Sequence, residues 1–127
     1  MMQKKIQGVS FFLALITSYN TFSMNGIIKL FTPTNYDLPS GQLLTLANTS
    51  SKTITSVCQM TVTSNQNHSI LIKVLNGYGQ VNGTTLSKGQ TLVQTVYNTQ
   101  AIPITASSGT KAEFTNLGPY KVSASCS

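Results

Sequence analysis

Apolar and polar residues alternate along most of the chain beyond residue 23. Over 54–63, Ile54, Ser56, Cys58, Met60 and Val62 fall on one face, and Thr55, Val57, Gln59, Thr61 and Thr63 fall on the other. The first set is mainly apolar and the second mainly polar. A two-residue period of this kind predicts a half-buried strand with Cys58 facing inward. Over 69–75, Ile70, Ile72 and Val74 oppose Leu71, Lys73 and Leu75. Both faces are mostly apolar, which predicts a central strand whose Lys73 reaches water along its stem.

Segments 92–97, 101–106, 112–116 and 121–126 continue the pattern, the last with Val122, Ala124 and Cys126 inward. Pro103 marks the second of these as an edge strand or a bulged one, because proline has no N–H to give to a ladder. At the front, 27–31 and 42–46 are strand-like, separated by a proline-bearing loop over 32–41. Asn76-Gly77 and Asn82-Gly83 tolerate positive φ and suit tight hairpins. Between them Tyr78-Gly79-Gln80-Val81 reads as a short strand or the tip of a long hairpin, and Lys88-Gly89 is a further turn. No sustained 3.6-residue period follows residue 23. The sum is an all-β chain of about eight short strands with frequent turns, the pattern of a small antiparallel sandwich (immunoglobulin-like or similar) or a small barrel.

The first residues are of another kind. MMQKK precedes an apolar run over 6–16, and a polar stretch ends Thr21-Phe22-Ser23. A short basic start, a short apolar core and small residues before a junction describe a secretory signal peptide. The run is well short of the roughly 20 residues that span a bilayer. The expected organisation is a leader over 1–23 and a single domain over 24–127, secreted or periplasmic, with no transmembrane segment in the mature chain. A domain of about 100 residues folds alone with a modest margin.

Export changes the meaning of the two cysteines, Cys58 and Cys126. In an oxidising compartment an even count predicts a disulfide, and two cysteines permit one intramolecular pairing. It closes a loop of about 70 residues, worth about 4 kcal/mol in the chain-entropy model. The spacing is compatible with the inter-sheet disulfide of an immunoglobulin domain. Yet no tryptophan follows Cys58, and Ala124 stands where that family places a tyrosine, so no family is assigned.

The whole chain carries a formal charge of +6. Beyond the leader, Lys29, Lys52, Lys73, Lys88, Lys111 and Lys121 stand singly against Asp37 and Glu113, and arginine is absent. Scattered lysines without a guanidinium fork argue against nucleic acid as a partner and leave only a weak attraction to anionic surfaces. Catalytic material is sparse. His68 lies in the polar stretch 64–69, where an exposed turn histidine is expected. Asp37 and Glu113 are far apart in sequence, and no Gly-x-Ser-x-Gly elbow supports a triad. One histidine, two separated acids and a cystine make no zinc constellation, and no acidic calcium loop or glycine-rich phosphate loop is present, so no metal or cofactor is expected. The sequons at Asn48, Asn67 and Asn82 carry little information in a chain so rich in Ser and Thr.

Binding features remain. Tyr36, Tyr78, Tyr97 and Tyr120 lie at or beside turns and strand ends, and tyrosine is enriched at interfaces. The candidate contact loop is Tyr78, Gly79, Gln80, Val81 and Asn82. The expected function is a non-catalytic interaction domain that recognises a protein or glycan through loops or a sheet face. The alternatives are a structural subunit of a surface or envelope assembly, with 27–31 adding to a neighbour's sheet, and a small secreted hydrolase using His68, an acid or a pair such as Ser87-Lys88.

Overall fold

The computed structural model describes residues 23–27, 34–63 and 68–127. These form eleven strands and no helix: β1 (Ser23–Ile27), β2 (Thr34–Leu38), β3 (Leu43–Ala47), β4 (Ile54–Val62), β5 (His68–Asn76), β6 (Tyr78–Val81), β7 (Thr84–Ser87), β8 (Thr91–Val96), β9 (Ala101–Ala106), β10 (Lys111–Asn116) and β11 (Val122–Cys126). They make two sheets, a five-stranded one in the order β1-β3-β10-β5-β8 and a six-stranded one in the order β2-β11-β4-β9-β6-β7. Every pairing is antiparallel except β1 with β3. The leader expected over 1–23 lies outside the described residues apart from Ser23, which opens β1.

The alternation read from the sequence is the alternation of the fold. Along β4 buried and exposed residues change places without a break, and Ile54, Ser56, Cys58, Met60 and Val62 are the buried set. On β5 Ile70, Ile72 and Val74 face inward, Lys73 is exposed, and the strand lies between β10 and β8, away from either edge. The inward sets of both sheets meet in one apolar cluster: Leu44, Ile72 and Val96 from the first, Met60, Ile102 and Val122 from the second. A sandwich-like body with a single core results.

The front of the chain departs from expectation. The proline-bearing loop over 32–41 contains β2, where Tyr36 and Leu38 turn inward and Asn35 and Asp37 turn out. Flanking Thr, Pro and Asn residues masked that short period. The strand expected over 27–31 shares only Ile27 with β1, and 28–31 lie outside the described residues.

Two turn assignments separate. Asn82 and Gly83 have φ of 51° and 86° and join β6 to β7 in a two-residue hairpin, the geometry that matches strand twist. Asn76-Gly77 is no hairpin, because β5 and β6 belong to different sheets. Gly77 makes that crossing alone at φ +73°, and a Cβ on it would come 2.5 Å from Thr110 Oγ1 and 2.8 Å from Thr110 Cα.

Pro103 lies in β9 between β4 and β6, not in an edge strand. Its neighbour Val57 exchanges both backbone hydrogen bonds with Ser127, at 2.9 and 3.1 Å. Val57 and Pro103 therefore meet as a non-hydrogen-bonded pair, and the ring nitrogen points toward β6. Past Val81 opposite Ile104, the Asn82 N–H donates to the Pro103 carbonyl at 2.9 Å, and the reciprocal bond is the one that the proline cannot make. Pro103 thus sits in an interior strand where the β6 ladder is ending, at the loss of one reciprocal bond.

Cys58 and Cys126 are joined, with Cα atoms 4.0 Å apart across 68 residues. They are directly opposed on adjacent strands β4 and β11. The bridge therefore lies within one sheet and does not tie the two sheets together as in an immunoglobulin domain. Because Val57 and Ser127 form the neighbouring hydrogen-bonded pair, the cysteines occupy the close-approaching register of the ladder.

Candidate functional site

The groups that would carry catalysis are held apart. Asp37 is exposed on the outer side of β2 and accepts a 2.7 Å hydrogen bond from the Ser123 hydroxyl. Glu113 lies on the outer side of β10, between Thr45 and Lys73 in register. The two carboxylates thus sit on opposite outer faces, with two sheets about 10 Å apart between them. Ser87 ends β7 and Lys88 occupies the turn that follows, both exposed. Among the described residues no three of His, Cys, Asp and Glu gather where they could hold a metal ion. A cavity of about 70 Å³ lies between the sheets among Met60, Ile72, Val96, Ile102 and Phe114. It is a gap in an apolar core and presents no convergent titratable groups.

His68 is not the exposed turn residue expected. It opens β5 and is 1 % exposed, its ring edge-on to Tyr120 at 5.8 Å. The signal was present: His68 is in phase with Ile70, Ile72 and Val74, so the strand's period extends one residue further back than 69. A Cβ on Gly118 would stand 2.9 Å from His68 Nδ1, so glycine lets the β10–β11 connection lie against the imidazole. Tyr97, Leu117 and Tyr120 are exposed around this end. Tyr97 follows Val96, the register partner of His68, and Leu117 donates its N–H to the Ser69 carbonyl at 2.9 Å.

Two asparagines carry structure that the sequence did not announce. Asn48, in a sequon, is fully buried. Its Nδ2 lies 2.8, 3.0 and 3.1 Å from the carbonyls of Lys52, Ala106 and Ser107. Asn116, also buried, donates to the carbonyls of Leu38 and Tyr120. Of the other sequons, Asn82 is on an exposed turn and Asn67 lies outside the described residues.

The five residues of the candidate contact loop divide by the strand period. Val81 is 6 % exposed and belongs to the core, Gly79 shares its inward face, and Asn82 makes the turn. Tyr78 and Gln80 point out, and Tyr78 is 58 % exposed. The backbone beneath its ring is held firmly. The Tyr78 carbonyl accepts from Ser107 N at 3.1 Å, Ser107 Oγ at 2.9 Å and Thr110 Oγ1 at 2.8 Å.

Tyr78 and Gln80 stand at one side of a broad surface, the outer face of the six-stranded sheet. Strand alternation builds it from Thr55, Val57, Gln59 and Thr61 of β4, from Ser123 and Ser125 of β11, and from Pro103 and Thr105 of β9. Register aligns Thr55, Thr105, Gln80 and Thr85 in a row across four strands. Another row runs Asn35, Ser125, Gln59, Ala101. Several of these side chains engage one another or the backbone: Gln80 Nε2 donates to Thr85 Oγ1 at 3.2 Å, Gln59 Nε2 to the Thr99 carbonyl at 2.8 Å, and the Thr55 and Thr105 hydroxyls are 3.4 Å apart. Among the described residues Asp37 is the one charged side chain on this face, with Lys121 bordering it just before β11. Lys73, Lys111 and Glu113 lie on the other sheet, and Lys52 and Lys88 lie in connections.

Comparison with protein-family models, with curated proteins and with solved structures gives no match for this chain. Among the described residues no helix is long and apolar enough to cross a membrane.

Proposed function

We propose that the chain is an exported, non-catalytic binding module whose contact surface is the outer face of the six-stranded sheet together with hairpin β6–β7. The observation that carries this reading is Tyr78, exposed and mounted on a clamped backbone at the side of a wide, nearly uncharged field of hydroxyl and amide groups. An aromatic side chain with two torsions on a fixed backbone, beside prepositioned polar groups, loses little conformational freedom on binding. The disulfide fits an oxidising destination, and the leader over 1–23 supplies the route. The test uses the secreted protein. Its N-terminus should be found near Met24, and it should be retained by cell-surface extracts. Tyr78→Ala with Val57→Lys should abolish retention while leaving the unfolding midpoint in place. Retention indifferent to both changes would overturn the reading.

A second reading, a subunit of a surface assembly, has one observation in its favour. Among the described residues β1 pairs with β3 alone, in parallel, and stands at the end of its sheet. Exchange of β1 between copies would give a chain of linked domains. A mass that stays monomeric at high protein concentration removes it.

A further inference from the structure

Resting on that reading, we infer that the partner of the six-stranded face is an uncharged, extended polysaccharide. Charge distribution is the first reason. The chain is basic, with a formal charge of +6, yet the described lysines lie on the other sheet, in connections or at the border of this face. Asp37, the one charged group on it among the described residues, is engaged by Ser123. A nucleic acid or acidic glycan gains most of its affinity from cationic contacts, and this face offers no cluster of them. A neutral partner is bound here without stripping water from ions.

The second reason is the grain of the surface. The core of a protein–protein interface is an apolar patch with a polar rim. Here the order is mixed: Val57 beside Pro103 in one row, hydroxyls and an amide in the next, then Tyr78. A sugar ring presents the same mixture, with C–H faces above and below and hydroxyls around its rim. Val57, Pro103 and the Tyr78 ring suit the C–H faces. Thr55, Thr105, Gln80 and Gln59 suit the hydroxyls, and hydrogen bonds between Thr55 and Thr105, from Gln80 to Thr85 and from Gln59 to the Thr99 carbonyl hold them before binding.

Extent is the third. Six strands at about 4.8 Å span roughly 24 Å, enough for several sugar units in a line and more than a monosaccharide requires. A linear chain lying across the strands follows such a row and meets one strand after another, so affinity grows with chain length.

The secreted protein is mixed with insoluble cellulose, amylose, mannan and β-1,3-glucan, with heparin and polygalacturonate on beads as acidic controls, and the unbound fraction is measured. Retention is expected on at least one neutral polymer, equal at low and high salt, and weakened about tenfold or more, or roughly 1.4 kcal/mol, by Tyr78→Ala and by Thr105→Lys. Unfolding midpoints confirm that both variants are folded. Salt-sensitive retention on the acidic beads alone overturns the inference and leaves the binding-module reading standing. So does failure on all neutral polymers combined with retention of a protein partner that Tyr78→Ala abolishes. Neutral-polymer retention that neither variant weakens overturns both. Self-association lost in Thr105→Lys, without retention on any polymer, makes a second copy the occupant and overturns the inference.

Discussion

Asn48 shows how much one polar side chain carries in this protein. It is fully buried, its Nδ2 faces three carbonyls, and its Oδ1 accepts from the Ser50 N–H and hydroxyl at 3.0 and 2.7 Å. It ties the β3–β4 connection to the turn after β9. Asn48→Ala removes the amide that gathers these carbonyls, although Lys52 keeps the Ser50 hydroxyl and Ser107 keeps the Thr110 N–H, and is expected to cost about 1–3 kcal/mol, read as a lower urea midpoint. Tyr36 gives a pH test. Burial against the core pushes its phenol above the ordinary value of 10.0, outweighing the side-chain hydrogen bond with Thr34, which pulls it down. Above about pH 10 the unfolded chain therefore loses the phenolic proton before the folded one does, and stability falls as pH rises further. That decline should be smaller in Tyr36→Phe when unfolding midpoints are followed from neutral pH into the alkaline range.

Strands and turns respond where backbone meets backbone. β6 lies against β9 through Gly79 opposite Ala106, and a Cβ at Gly79 would run into the carbonyl oxygen of Thr105. Gly79→Ala is expected to lift β6 from β9 at a cost of about 3 kcal/mol, above the usual range for a surface change. Faster amide exchange in β6 and β7 than in β5 would register the lifting. The β8–β9 turn holds the opposite case. Thr99 has φ 67°, a left-handed conformation that a β-branched residue adopts at a cost of about 1–2 kcal/mol. Asparagine tolerates it better, so Thr99→Asn should raise the thermal midpoint by a few degrees. No rise would mean that the surrounding hydrogen bonds, such as Thr99 N–H to the Met60 carbonyl at 2.9 Å, already offset the strain.

For the whole molecule, the bridge between Cys58 and Cys126 closes 68 residues. That loop contains β5 to β10 and most of the core. The paired strands β4 and β11 hold both cysteines in place without the bond, so its effect falls mainly on the unfolded chain. Replacing both cysteines by alanine is expected to lower unfolding free energy by about 4 kcal/mol, seen as a reduced guanidinium midpoint with the strand content retained in native buffer. A change below about 1 kcal/mol would show that the unfolded chain is already compact. The same architecture sorts charge: alternation puts hydroxyls and amides on one outer face, while Lys73, Lys111 and Glu113 occupy the other.

Alternation is local, set by the pleat of each strand, and so β4, the inward residues of β5 and β11, and the Asn82-Gly83 hairpin were legible along the chain. The one disulfide partnership was legible too, since two cysteines allow no other within the chain. Which strands lie side by side was not. Register and sheet membership depend on contacts between residues far apart in sequence, and no short window carries them. Tertiary structure alone decided that β5 and β6 part into different sheets at Gly77, that Pro103 sits inside a sheet near the end of a ladder, and that the cystine staples neighbours. It also decided that β2 hides in an apparent loop, and that Asn48 and Asn116 are buried because distant carbonyls need their amides. The nearly uncharged face belongs to this second group: its side chains come from six strands, and only their pairing brings them onto one surface.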